Sequence, residues 1–170
     1  MMKEEILEEA SAAARPEEKR QILKEAIQAA VLRSLHESGA FASLCLTGAA
    51  ARHFTCAAPE ASAPAPAAAL SDLEFCLVDK KGYKPEQWLF AAKRRLRFMG
   101  FDARIAFARK LAKHVGWIKL PGLLEEAGIA EGGKEALGFG IVIDIAPGEK
   151  KDCRVSLVEA QGECFALRWR

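Results

Sequence analysis

The chain lacks any apolar run long enough to cross a bilayer, and its opening Met1-Met2-Lys3-Glu4-Glu5 does not read as a secretory signal. It also lacks Cys-x-x-Cys spacing. The cysteines at 45, 56, 76, 153 and 164 are scattered, which argues against a zinc site. Cys45 and Cys76 sit inside apolar, strand-like runs, where a thiol behaves as a small hydrophobe. A cytoplasmic, reduced protein with no membrane partner is the expectation. Charge of one sign is lacking too: 25 basic against 23 acidic residues leave +2, which points neither toward nor away from nucleic acid. The three histidines, His36, His53 and His114, are far apart, and no Ser/His/Asp or Cys/His arrangement surrounds them.

What is present suits one α+β domain over 16–170, preceded by an N-terminal extension over 1–15. The extension is rich in Glu and Ala, and its weak apolar face predicts fraying. Pro16 opens a strong helix with Leu23, Ile27, Ala30, Val31 and Leu35 as its stripe, ended by Gly39. A short buried strand follows over Ser43–Leu46, then a short helix over Ala49–Phe54. Residues 57–69 are low in complexity, with three prolines, and read as an extended loop: a tolerated insertion, or a lid. Strands are predicted over Leu73–Val78, Ala103–Ala108, Val115–Leu120 and Phe139–Ile145. Helices are predicted over Pro85–Met99 and Pro121–Ala127. Val155–Val158 and Cys164–Trp169 read as a hairpin around Gln161-Gly162. The order suggests a mixed sheet with helices packed mainly on one face.

Two pieces carry chemistry. Leu46-Thr47-Gly48-Ala49 reads as strand, tight turn and helix start, a place where a helix N-terminus favours phosphate. Ser71-Asp72-Leu73-Glu74-Phe75 opens the next strand. Residues i and i+2 of a strand share a face, so Asp72 and Glu74 aim the same way and could share Mg²⁺ with substrate phosphates. Asp144, in Ile141-Val142-Ile143-Asp144-Ile145, is the third candidate acid. Three carboxylates from two strands would make a two-metal phosphoryl-transfer centre; otherwise Asp144 ends its strand at solvent. The run Lys93-Arg94-Arg95-Leu96-Arg97, with Arg104, Arg109, Lys110 and Lys113, is the densest basic stretch. It could meet nucleic-acid phosphates or be a solvated helix face.

Taken in order, these pieces resemble the AbiEii/AbiGii-type nucleotidyltransferases, toxins of abortive-infection and toxin–antitoxin systems. The helix from Ile22 to Gly39 looks like that family's opening. Leu46-Thr47-Gly48-Ala49-Ala50-Ala51-Arg52 stands where the family has Gly-Gly-Thr-Ala-Leu-Arg, and Ser71-Asp72-Leu73-Glu74-Phe75 where it has Ser-Glu-Asp-Leu-Asp-Phe. Phe98–Phe107, Trp117–Gly128 and Ile141–Pro147 are similar to later pieces, so the likeness spans roughly 20–148. It implies a polymerase-β-like fold and Mg²⁺-dependent transfer of a nucleoside monophosphate from a nucleoside triphosphate to an acceptor. In that scheme Asp72, Glu74 and Asp144 are catalytic and hold the metal, while Thr47, Gly48, Ala49, Arg52 and Ser71 hold the nucleotide. A tRNA-like acceptor and a cognate antitoxin are the implied partners. The departures are Ala49 for the second glycine, Ala50 for the following threonine, Glu74 for Asp, and no basic residue before the acid pair. The family's further helical part, with a Lys and Asp motif, is not found before Arg170. The alternative is a catalytically degenerate nucleotidyltransferase-like module that binds or regulates.

Overall fold

A computed structural model describes residues 1–55, 72–129, 135–145 and 152–170. Among them, helices α1 (Lys3–Ala12) and α2 (Pro16–Glu37) precede strand β1 (Leu44–Thr47) and helix α3 (Gly48–Thr55). Then come β2 (Leu73–Leu77), α4 (Pro85–Phe98), β3 (Arg104–Arg109), β4 (Lys113–Leu120), α5 (Leu123–Glu126), β5 (Leu137–Asp144), β6 (Arg154–Ala160) and β7 (Glu163–Trp169). The loop expected over 57–69 lies outside the described residues. Among the described residues no helix is long and apolar enough to cross a membrane.

The described strands form one mixed sheet in the order β3-β4-β5-β2-β1-β7-β6. β2 is central, antiparallel to β1 and parallel to β5. β1 runs parallel to β7. The remaining pairs, β3–β4, β4–β5 and β6–β7, are antiparallel. The last of these is a two-residue hairpin: Gln161 and Gly162 both take positive φ (57° and 72°), the primed turn that matches strand twist.

Alternation decides which face is core. Leu44 and Leu46 on β1, Leu73, Phe75 and Leu77 on β2, and Ile141 and Ile143 on β5 stand in register and are buried. They join Leu23, Ile27, Val31 and Leu35 of α2, Ala50 and Ala51 of α3, and Trp88, Leu89 and Leu96 of α4 in one apolar cluster. The helices thus line this face. The opposite face carries Cys45, Thr47, Asp72, Glu74, Cys76, Val142 and Asp144, and it is where the candidate acids lie.

The expected fraying of the N-terminal extension is corrected. Ile6 and Ala10 of α1 are wholly buried, the Lys3 amide donates to the Met99 carbonyl at 2.9 Å, and the Lys3 ammonium pairs with Glu126. The stripe is small, but α2 and the end of α4 are there to receive it.

Candidate functional site

β1 delivers the chain to Gly48, which turns it into α3 with φ +73°. This is the left-handed region, where a side chain is strained. Thr47 stands opposite Glu74 on β2, and its hydroxyl donates to the Glu74 carbonyl at 3.2 Å. The Glu74 carboxylate lies over the glycine: a Cβ on Gly48 would come within 2.6 Å of Oε2. The turn and the second acid of the pair are therefore in contact. Ala49 follows at the start of α3, half-buried, and Arg52 is exposed one turn on. Ser71 lies outside the described residues.

Asp72 and Glu74 share the open face and are both exposed, as period-two spacing demands. They lean in opposite directions. Asp72 reaches toward β5, where its Oδ1 accepts the Gly140 amide at 2.6 Å, and a Cβ on Gly140 would meet Oδ2 at 2.9 Å. Glu74 reaches toward β1 and Gly48. Each acid fills the hollow left by a glycine on a different side of β2: Gly48, at the start of α3 just after β1, and Gly140 on β5.

Asp144 is on the same face of the adjacent strand, half-buried, but opposite Cys76. That is two register steps beyond Glu74 and four beyond Asp72, or about 13 Å along the strands at 3.3 Å per residue. Among the described residues no group of three His, Cys, Asp or Glu side chains could hold a metal ion. The acids that the sequence suggests would converge share a face without sharing a point.

Beside Asp72 the open face holds a cleft of about 510 Å³ lined by Trp117, Lys119, Glu135, Gly138 and Gly140. It combines an indole, an ammonium and a carboxylate. Arg20 of α2 holds Glu135 at its rim through paired contacts of 2.9 and 3.0 Å. Behind Asp72 lies a residue that sequence reasoning missed. Lys24 of α2 is buried, with its ammonium 5.9 Å from the centre of the Phe139 ring. Burial holds that ammonium below its ordinary range, and the Asp72 carboxylate pulls it back up. A signal exists in the sequence: Lys24 and Gln28 continue the spacing of Val31 and Leu35, so α2 buries two polar side chains along its apolar stripe.

The other candidates fall elsewhere. His53 points to the helix side, with Nε2 3.0 Å from Glu25, beside a separate 370 Å³ pocket. His114 faces the helices, its Nδ1 2.8 Å from the Tyr83 hydroxyl, and His36 packs on Phe165. The basic run is partly committed to the fold: Arg95 pairs with Glu37 and Glu163, and Arg94 stacks on Phe90. Arg109 pairs with Glu86 and Arg104 with Asp102. No protein-family model, curated protein or solved structure matches the chain.

Proposed function

We propose that this chain is a nucleotidyltransferase-like domain of polymerase-β-like architecture that takes a nucleoside triphosphate on its open sheet face. The observation that carries the reading is the contact between the Gly48 turn and Glu74, with Asp72 two residues away on the same face. Phosphates suit the N-terminus of α3, where unpaired amides and the helix dipole favour negative charge. The neighbouring cleft, with Trp117 and Lys119, suits a planar anionic ligand.

Asp72 and Glu74 would hold a single Mg²⁺ carried in by the triphosphate only after Asp72 turns away from the Gly140 amide, since that ion commonly keeps one or two carboxylates plus phosphate oxygens. Bound there, Mg²⁺ would neutralise charge on the phosphates. A centre built on three protein carboxylates does not fit, because Asp144 stands beyond reach of Asp72. Transfer to a hydroxyl acceptor such as tRNA, control by an antitoxin and residence in the cytoplasm belong to the same proposal and rest on the AbiEii/AbiGii resemblance.

The opposite lean of the two acids favours a second reading, in which the domain binds nucleotide but has lost transfer. Ala49, Ala50 and the missing basic residue agree with it. Titration calorimetry with Mg²⁺ and each ribonucleoside triphosphate, run beside transfer of labelled nucleotide to a tRNA pool, separates the two. Weak Mg²⁺-dependent binding, lost in the Asp72→Asn/Glu74→Gln double variant, is expected. Transfer lost in the same variant identifies the enzyme; binding without transfer identifies the module. Binding that survives the double variant, or no binding of any nucleotide, refutes both.

A further inference from the structure

The sheet ends on β6, and among the described residues no strand pairs with its outer edge. An edge strand presents a row of unpaired amides and carbonyls, which proteins commonly guard with lysine, proline or a bulge. β6 reads Arg154-Val155-Ser156-Leu157-Val158-Glu159-Ala160 and has neither lysine nor proline. It pairs with β7 residue for residue, without a bulge. Val158 lies opposite Phe165, and both belong to the core. By alternation Val155 and Leu157 stand on the open face, where they are 65% and 75% exposed. Among the described residues they are the exposed large apolar side chains that lie on strands. The other edge, β3, begins and ends on arginine, so antiparallel pairing with its own copy would set like charges together. β6 has Arg154 at its start and Glu159 near its end. Antiparallel pairing of two such strands sets the positive end of one beside the negative end of the other.

We propose that β6 is a self-association edge, which pairs antiparallel with β6 of a second copy about a twofold axis at Ser156. Such an axis stands perpendicular to the sheet, so the contact is isologous and the open faces of both copies lie on one side. Residues opposed across an antiparallel pair share a face, and the register follows from that. Centred on Ser156, Val155 of each copy lies opposite Leu157 of the other, so both exposed side chains of each strand gain an aliphatic partner. Centred on Leu157, Val155 would face Glu159. Centred on Val158, Leu157 would face Glu159. Centred on Val155, Leu157 would overhang the start of β6. Ser156 is small, and its hydroxyl is already turned to β7, where it accepts the Trp169 indole N–H at 2.8 Å. Main-chain hydrogen bonds would supply the attraction and the alternate side chains the register, as in other strand additions. One strand pair is small beside the roughly 1,200–2,000 Å² of a stable interface, so the dimer forms in a concentration-dependent way. The proposal does not depend on the nucleotide reading.

Sedimentation equilibrium of the full chain over a dilution series tests the association. The mass should rise from one copy to two with concentration. Leu157→Lys puts a charge into each aliphatic pair and should raise the dissociation constant at least about tenfold. The side chain is exposed, so the fold should persist, and circular dichroism checks that. Phe98→Lys, which removes an exposed apolar side chain from α4, should leave the dimer unchanged. For the register, the full chain with Cys56, Cys153 and Cys164 replaced by serine carries either Val155→Cys or Leu157→Cys. Mixed and mildly oxidised, the two variants should link to each other, and neither should link to itself. A mass of one copy at every concentration would overturn the proposal. So would a dimer that Leu157→Lys leaves intact, one that Phe98→Lys dissolves, or a Leu157→Cys chain that links to itself.

Discussion

Replacing Gly48 by alanine tests the geometry on which the site is built. Two costs arise. The left-handed backbone at φ +73° costs an L-residue about 1–2 kcal/mol. The new Cβ also meets Glu74 Oε2 at 2.6 Å, but that atom is the far end of an exposed, flexible side chain and can swing away for less than about 1 kcal/mol. Gly122 supplies the control, because it has nearly the same φ (+75°) and a Cβ added there would meet nothing within 4 Å. Gly122→Ala should therefore lose only the backbone part. For a chain of this size, about 1–2 kcal/mol corresponds to a fall of about 2–8 °C in Tm. Gly48→Ala should fall slightly further, and adding Glu74→Ala should bring it back to the level of Gly122→Ala. Urea unfolding of the four variants supplies the cycle. A neutral or stabilising Gly48→Ala would refute the left-handed turn. A double variant no better than Gly48→Ala would refute the contact between Glu74 and the turn.

Ile6→Ala should cost about 2–5 kcal/mol if α1 is docked against α2; a frayed extension would lose under about 0.5 kcal/mol, and urea unfolding separates the two. Gly116→Ala puts a Cβ 2.8 Å from Leu89 Cδ1 inside the core, so it should cost about 1–3 kcal/mol in the same assay, with part recovered by Leu89→Val. The Glu25 hydrogen bond raises His53 above its ordinary value, with burial opposing. Its contribution should be fully present below about pH 6.5 and lost as pH rises through the raised folded value, so the Tm gap between wild type and His53→Gln should narrow toward alkaline pH.

The parts legible in sequence are those set by local rules. Pro16 and the 3.6-residue stripe mark α2, and Gln161-Gly162 between alternating runs marks the last hairpin. Period two puts Asp72 and Glu74 on one face. The misses share a cause, which is that partners distant in sequence decide them. α1 looks too polar to dock until α2 and Met99 are placed beside it. β4 begins at Lys113, earlier than Val115, because His114 finds Tyr83 and Phe107 on the helix side. Lys24 is hidden when α2 is read for its apolar residues alone. The resemblance places three acids in one centre, whereas the register of β2 on β5 sets Asp144 against Cys76.

The lean of the two acids follows from the same register, and it yields a direct measurement. β2 is flanked by a glycine on each side, Gly48 beside Glu74 and Gly140 beside Asp72. A missing side chain leaves a hollow on the sheet surface, and each carboxylate fills the nearer one. The Asp72 contact is the firmer, because a backbone amide donates to an ionised oxygen at 2.6 Å, and charge-assisted bonds of this kind are about twice as strong as neutral ones. For Asp72 to turn toward a cation shared with Glu74 it must give up that bond. The Gly140 amide is therefore a reporter. In an ¹⁵N-resolved NMR titration, Mg²⁺ with a nucleoside triphosphate should move the Gly140 resonance upfield as the bond to Asp72 weakens, and Asp72→Asn should produce most of that shift without ligand. Mg²⁺ or nucleotide alone should do little, since a cation bridging two carboxylates and a triphosphate needs all three. A Gly140 amide that stays fixed while nucleotide binds would show that Asp72 keeps its bond and that any metal is held without it.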